Sequence, residues 1–249
     1  MKKILALIPA RMGSTRFPGK PMTNLLNKPM IGHVYENVAK CEILTETAVA
    51  TCDKVIYDYI TSIGGTAIMT SDKHDRASDR CAEALVKLEN LRGLKYDAIV
   101  MVQGDEPMTN SVMIKESITP ILTDPDILVT NLKGIIDSND EFQDRNCIKV
   151  VTDLNNNALY FSREPIPTRG RGEKIDMFKQ VCVISFTRDF LLKYIDLPPS
   201  PLEIAESVDM MRVLENGYKV KMVPTSHKSY SIDVEEDKKR VELYLKKIK

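Results

Sequence analysis

Basic and hydroxyl side chains crowd into one short stretch near the start of the chain. An apolar run of strand length, residues 4–8, ends at Pro9, and it is followed by Arg11, Gly13, Ser14, Thr15, Arg16, Gly19 and Lys20. Hydroxyls, backbone N–H groups and three cations on one loop suit a polyphosphate. The spacing is not that of a P-loop, because Pro21 stands where that motif has serine or threonine. The residues alone leave two interpretations open, an anion-binding loop and a basic surface turn.

A second polar cluster follows another buried strand. Residues 98–102 are apolar, and Gln103, Gly104, Asp105 and Glu106 come directly after them. A carboxylate at this place can hold Mg²⁺, which prefers a few carboxylates together with phosphate oxygens and water. The alternative is that Asp105 only caps a turn or a helix.

The elements that must position these loops alternate along the first half of the chain. Apolar runs predict strands over 4–8, 47–51, 66–69, 98–102 and 127–132, and helices between them, one of which has Asp53 as its N-cap. This order predicts an α/β fold with a doubly wound, mostly parallel sheet. Ligands of such sheets bind beyond the carboxyl ends of the strands. The loops at Arg11, Thr70 and Asp105 are therefore expected to open toward one crevice.

The rhythm changes near residue 147. Two short strands over 148–151 and 158–161, a strand over 181–186 and a helix over 200–216 are expected, the last with a capping box of Ser200 and Glu203. Strands over 220–223 and 230–232 precede a terminal helix over 234–248. We interpret residues 1–249 as a single domain, in which residues from about 147 to 230 form an inserted smaller lobe over the crevice.

Composition limits the classes of protein to which the chain can belong. Lysine plus arginine and aspartate plus glutamate both number 35, so a nucleic-acid partner is not expected. The five cysteines are scattered without a C-x-x-C pair, which is typical of reduced thiols in the cytoplasm. No apolar run has the length of a membrane span, and the N-terminus is unlike a signal peptide. The sequence predicts a soluble, cytoplasmic protein without a membrane partner.

Residues 8–21, IPARMGSTRFPGKP, resemble the nucleotide loop of CTP-dependent sugar-acid activating enzymes. The likeness to this family, the 3-deoxy-manno-octulosonate cytidylyltransferases (CMP-KDO synthetases) of lipopolysaccharide assembly, continues along nearly the whole chain. It implies a nucleotide-diphospho-sugar transferase-like fold, a Mg²⁺ cofactor and a homodimer whose dimer and sugar contacts come from the inserted lobe. For CTP binding it implies Ala10, Arg11, Gly13, Ser14, Thr15, Arg16, Lys20, Thr70, Ser78, Arg80 and Gln103.

The resemblance also assigns the chemistry and the acceptor. Arg11, Lys20 and Asp105 would be catalytic, with Asp105 and Asp233 as the metal ligands, although Asp233 could instead be an N-cap. The acceptor would be bound by Ser162, Arg163, Gln180, Glu206 and Asp209. Taken by itself, Arg163 could equally pair with a protein carboxylate such as Glu164 or Glu206.

Departures from the family concentrate at the sugar. Gln180, Asp209 and Met210 replace a histidine, a glutamate and a glutamine, while Arg76 and Ala77 replace a Ser-Gly pair and Cys52 an aspartate. The hypothesis is transfer of CMP from CTP to a 2-keto-3-deoxy sugar acid, either 3-deoxy-manno-octulosonate or a close relative, with release of pyrophosphate. Alternatives are a nucleotidyltransferase of the same fold with an amino-substituted or phosphorylated acceptor, and a non-catalytic nucleotide-binding protein.

Overall fold

The computed structural model of the protein describes residues 2–13, 17–169, 175–232 and 235–248. Its strands are β1 (Ile4–Ala10), β2 (Asn24–Leu25), β3 (Lys28–Pro29), β4 (Glu46–Thr51), β5 (Thr66–Met69), β6 (Ala98–Val102), β7 (Val129–Ile135), β8 (Lys149–Thr152), β9 (Ala158–Ser162), β10 (Phe178–Thr187) and β11 (Lys221–Pro224). Its α-helices are α1 (Met30–Ala39), α2 (Lys54–Ser62), α3 (Ala77–Arg92), α4 (Ser111–Thr123), α5 (Asn139–Gln143), α6 (Arg188–Asp196), α7 (Pro201–Glu206), α8 (Asp209–Glu215) and α9 (Glu235–Ile248).

One large sheet organises the molecule, with the strand order β11-β7-β10-β6-β1-β4-β5. The pairs β6–β1, β1–β4 and β4–β5 are parallel, as is β7–β11 at the other edge. Strand β10 runs antiparallel between β6 and β7, and the β8–β9 hairpin joins the sheet at the start of β10. The predicted mixed α/β fold with a mostly parallel sheet is confirmed.

Helices cover both faces of the sheet, which explains why its inner strands are apolar throughout. In β1, Ile4, Ala6 and Ile8 pack in one core cluster with residues of α1, α2 and α4. Leu5 and Leu7 belong to the opposite cluster, with residues of α3, α6 and α8. In the described part of the chain, no helix combines the length and apolar character that crossing a membrane would take.

The predicted helix over 200–216 is two helices. The Ser200 N–H donates to the Glu203 carboxylate at 3.2 Å, as the predicted capping box requires. The helix then breaks at Ser207, whose φ of 53° lies in the left-handed region. The Arg163 guanidinium donates to the Glu206 carbonyl at 2.6 Å, so this carbonyl at the break is hydrogen-bonded even though it lies at a helix end.

The strand predicted over 230–232 does not form. Ile232 is buried in a small cluster with Leu25, Met30 and Met108, so its apolar side chain packs the start of α1 rather than extending the sheet. Its backbone N–H donates to the carbonyl of Asp105 at 3.2 Å. The C-terminal part of the chain thereby reaches the polar cluster that follows β6.

Candidate active site

A cleft of about 900 Å³ opens beyond the carboxyl ends of β1 and β6. It is lined by six of the residues that the sequence predicts for the site, which are Arg11, Gln103, Asp105, Arg163, Gln180 and Asp209. Residues 75–77, which follow the loop after β5, line it as well. The expected convergence of three loops on one crevice therefore holds for Arg11 and Asp105, while Thr70 itself lies buried nearby.

Lys20 and Asp105 form an ion pair at this cleft. The Lys20 Nζ lies 2.6 Å from the Asp105 Oδ2, and the lysine side chain is only 10% exposed. Gly19 makes the approach possible, since its φ of 74° lies in the left-handed region and precedes a short 3₁₀ turn that begins at Lys20. A cation and a carboxylate that are far apart in the sequence thus meet at the strand ends.

Gly104 brings the loop after β6 close to the end of β1. A Cβ atom at this position would lie 2.9 Å from the Pro9 carbonyl oxygen, a backbone atom that cannot swing away. The contact explains why Asp105 lies beside the nucleotide loop.

We expect Gly104→Ala to force these two loops apart and so weaken the Lys20–Asp105 pair. Overpacking of this kind costs about 1–3 kcal/mol of unfolding free energy, and the predicted cytidylyl transfer should slow with it. Thermal unfolding and a pyrophosphate assay measure the two effects. Gly134→Ala is the control, because its Cβ would meet two side-chain atoms instead of backbone, a methyl group of Val181 at 3.3 Å and the Cε of Lys179 at 3.7 Å. Equal stability of both variants would contradict the assigned role of Gly104.

Asp53 occupies the N-cap position of α2, as predicted, but its side chain makes no capping bond to that helix. Its carboxylate accepts the Met12 N–H at 2.8 Å and thus binds the start of the nucleotide loop. Among the other loop residues, Ala10 is buried at the end of β1, and Gly13 is exposed. The predicted site residues Ser14, Thr15, Arg16 and Asp233 lie outside the described part of the chain.

Thr70 and Arg80 lie behind the cleft wall and hold its loop. The buried Arg80 guanidinium donates to the Thr70 hydroxyl at 2.6 Å and to the Ser71 carbonyl at 3.2 Å. Glu83 fastens the same loop by accepting hydrogen bonds from the Ser71 N–H and the His74 ring. Partial burial opposes ionisation, but hydrogen bonds from Lys87, Ser71 and His74 lower the pKa of Glu83 to about 2. Two charged residues that do not line the cleft, Arg80 and Glu83, therefore fix this loop. A role of Thr70 in binding the base stays a prediction.

On the predicted sugar side, Glu206 collects hydrogen bonds from β9 and the residue after it. Its carboxylate accepts from the Tyr160 hydroxyl at 3.1 Å, the Ser162 hydroxyl at 3.2 Å and the Arg163 N–H at 2.8 Å. The Arg163 guanidinium donates to backbone carbonyls, at 2.6 Å to Glu206 and at 2.9 Å to Arg145. It therefore does not pair with the carboxylates of Glu164 or Glu206, and its charge stays at the cleft.

Four of the six departures from the family pattern also line the cleft, namely Arg76, Ala77, Gln180 and Asp209. Met210 does not, because it is fully buried in the core on one face of the sheet. The partly buried Asp209 accepts the Ser78 hydroxyl at 2.8 Å, and desolvation raises the pKa of Asp209 while this hydrogen bond opposes the rise. The Arg76 Nε lies 3.9 Å from Asp209 and 3.4 Å from Glu203. Gln180 donates to the Asn131 side chain at 2.6 Å. The lining of the cleft thus includes an arginine, an aspartate and an amide.

Comparison with known proteins decides the family. A family model described as cytidylyltransferase matches residues 5–228. The chain belongs to this family. It is 40% identical to the 3-deoxy-manno-octulosonate cytidylyltransferase of Geobacter metallireducens, over 96% of both chains, and 41% identical to that of Geotalea uraniireducens, over 98% of this chain and all of the relative.

Solved structures support the same assignment. A CMP:2-keto-3-deoxy-manno-octonic acid synthetase complexed with CTP superposes with a TM-score of 0.89 and 32% identity over the full length of both chains. A glucose-1-phosphate thymidylyltransferase from Bacillus anthracis, at 14% identity and a TM-score of 0.67, shares the fold alone. The predicted family and the predicted nucleotidyltransferase class are confirmed.

The donor set of this cytidylyltransferase suits a metal that arrives with its nucleotide. Within the described ranges, no three His, Cys, Asp or Glu side chains cluster as a ready-made metal site. Asp105 offers one carboxylate at the cleft, and Mg²⁺ is usually held by one or two carboxylates plus phosphate oxygens and water. The carboxylate of Asp105 therefore fits a divalent metal that is also held by nucleotide phosphates.

Sequence reasoning missed several residues that shape this site. Asp53 was interpreted only as a helix cap, and Arg76 only as a departure from the family. The signal for Asp53 was its position just past β4, at the same sheet edge as Arg11 and Asp105. No comparable signal marked Arg76, because its partners Glu203 and Asp209 are distant in the sequence.

Proposed function

We propose that this protein transfers the cytidylyl group from CTP to 3-deoxy-manno-octulosonate, or to a close sugar-acid relative, in lipopolysaccharide assembly. The carrying observation is the Lys20–Asp105 pair, 2.6 Å apart, at a cleft that Arg11 and Gln103 also line. Cations next to a carboxylate suit a triphosphate with its metal. The similarity to relatives named for this reaction supports the choice of CTP and of the acceptor.

The reaction requires positioning and charge stabilisation rather than covalent catalysis. The anomeric hydroxyl of the acceptor attacks the α-phosphorus of CTP and releases its proton to water, while the bond from this phosphorus to the bridging oxygen breaks. Pyrophosphate leaves with the bonding electrons. Arg11 and Lys20 stabilise the charge on the phosphates, and this stabilisation is strongest when the donors are fixed before reaction.

Mg²⁺ is the proposed cofactor, held by Asp105 and Asp233. When bound, it would polarise the α-phosphate and lower the pKa of the attacking hydroxyl. Support comes from Ile232, the neighbour of Asp233, whose N–H donates to the Asp105 carbonyl at 3.2 Å. Asp105 also accepts from Lys20, so the same carboxylate links the cation of the protein to the proposed metal.

The acceptor is proposed to bind between the β9 end and α8, through Ser162, Arg163, Gln180, Glu206 and Asp209. The Arg163 guanidinium donates to carbonyls, so its positive charge suits the carboxylate of a sugar acid. The Glu206 carboxylate accepts hydrogen bonds from Ser162 and Arg163, and it would act by orienting these two residues.

Assembly and location are part of the proposal. We propose a homodimer that works in the cytoplasm. The resemblance to the family supports the homodimer, and the five cysteines, none of which is in a disulfide, support the cytoplasm: Cys41, Cys52, Cys81, Cys147 and Cys182. Sedimentation at micromolar concentration measures the assembly, and a monomer at all concentrations would contradict it.

The deciding assay incubates the protein with Mg²⁺, each nucleoside triphosphate in turn and a panel of sugar acids and sugar phosphates. We expect pyrophosphate release with CTP and a 2-keto-3-deoxy sugar acid, and its loss when EDTA removes the metal. Release with a sugar phosphate instead would establish the alternative acceptor class. CTP binding without turnover on any acceptor would establish a non-catalytic nucleotide-binding protein.

A further inference from the structure

Two backbone hydrogen bonds of one residue fix both ends of the nucleotide loop. The Met12 N–H donates to the Asp53 Oδ2 at 2.8 Å. The Met12 carbonyl accepts the Gly19 N–H at 3.1 Å. The first bond ties the loop to the segment after β4, and the second joins its beginning to its end. Both described ends of the loop, at Met12 and at Gly19, are therefore held through one residue.

The position of Asp53 follows from the register of the sheet. Strands β1 and β4 are parallel, and their last pair is Ala10 with Thr51. Met12 and Asp53 each lie two residues farther along, so they are the next neighbours of the same register. Beyond the last strand pair, the Met12 N–H has no backbone acceptor from a β4 extension. The Asp53 carboxylate accepts this N–H instead.

The backbone and the side chain of Asp53 make different contacts. Its backbone carbonyl accepts the N–H groups of Ile56 and Tyr57 and begins α2, whereas its side chain makes no cap bond to that helix. The carboxylate also accepts from the Cys52 thiol at 3.5 Å. The helix start is thus independent of the carboxylate, which is available to hold the loop.

We propose that Asp53 is a positioning residue for CTP. It holds Met12, and through Met12 it fixes where Arg11 and Lys20, on either side of the loop, meet the phosphates. The inference rests on the proposed function, because it assigns Asp53 to the triphosphate of that reaction. It adds a carboxylate to the nucleotide site that never touches the nucleotide.

Asp53→Ser tests this role, since serine still suits the start of a helix but its hydroxyl is one bond too short to reach Met12. Calorimetry with CTP should give a dissociation constant about tenfold higher, as expected for loss of a hydrogen bond to a charged group. The KM for CTP should rise equally, while the KM for the acceptor stays unchanged. Amide exchange at Met12 should become faster.

Two further variants separate positioning from general damage. Asp53→Asn keeps an oxygen that can accept the Met12 N–H, so it should restore most of the CTP affinity. Asp58→Ser is the matched control on α2, where the exposed carboxylate pairs with Lys54 at 2.6 Å; it should bind CTP like the original protein. Normal CTP affinity of Asp53→Ser, despite faster exchange at Met12, would overturn the inference. Failure of the original protein to bind CTP would overturn the proposed function instead.

Discussion

Asp105→Asn is expected to lower kcat by about 100- to 1,000-fold, the loss seen when a charge-stabilising contact of a transition state is removed. The substitution keeps the shape of the side chain but removes the negative charge that pairs with Lys20 and would hold the metal. Lys20 and the proposed Mg²⁺ would then lose their common anchor. Steady-state pyrophosphate release at saturating CTP and acceptor measures the effect.

The control for this variant lies at the other end of the same strand. Asp97 immediately precedes β6, and its carboxylate accepts the Lys3 N–H at 2.7 Å, away from the cleft. Asp97→Asn should therefore keep full activity. Electron paramagnetic resonance measures the binding of Mn²⁺ in the presence of CTP. We expect this binding to weaken in Asp105→Asn and to stay unchanged in Asp97→Asn. A variant at Asp105 with unchanged kcat and unchanged Mn²⁺ binding would contradict the assigned metal role.

Arg212→Ala is expected to give the largest loss of stability, about 3–5 kcal/mol of unfolding free energy, since it leaves a buried carboxylate without its main partner. The Arg212 guanidinium donates to both oxygens of Glu203, at 2.7 and 2.6 Å, and the glutamate side chain is fully buried. The pair joins α7 to α8, on either side of the break at Ser207. Urea unfolding of the variant and the original protein measures the loss.

An exposed ion pair supplies the comparison. Lys54 and Asp58 are 2.6 Å apart on α2 with side chains 81% and 54% exposed, and Lys54→Ala should cost no more than about 0.5 kcal/mol. Replacing both Glu203 and Arg212 by leucine should recover part of the stability, because no charge then stays buried alone. A cost for Arg212→Ala as small as for Lys54→Ala would refute the importance of this pair.

The first half of the fold could be predicted from the sequence because its signals are local. Strands β1, β4, β5 and β6 are continuous apolar runs, which the helices on both sheet faces require. Their bounds agree with the predicted ones to within two residues, and the strands over 66–69 and 98–102 agree fully. The hydrogen bond between Ser200 and Glu203 likewise spans one helical turn, so the spacing of the two residues in the sequence predicts it.

The second half depended on contacts between distant segments. An apolar run predicts that β10 is a strand, but its insertion antiparallel between β6 and β7 is decided by how the chain reverses before it. The residue types over 230–232 suit a strand as well as a packed loop. Packing of Ile232 against Leu25 and Met30 favours the loop. The break at Ser207 is held by Arg163, which directly follows β9 and is distant in the sequence.

For the site, the sequence determined which groups are available, and the tertiary structure determined their distances. The cations of the nucleotide loop and the carboxylate after β6 were identified by residue type and by resemblance to a family. That Lys20 and Asp105, 85 positions apart, lie within 2.6 Å follows from pairing of β1 with β6 and from the space that Gly104 leaves beside Pro9. Residue type fixes the charge of a group, whereas only the packing of the strands fixes which other charge lies beside it.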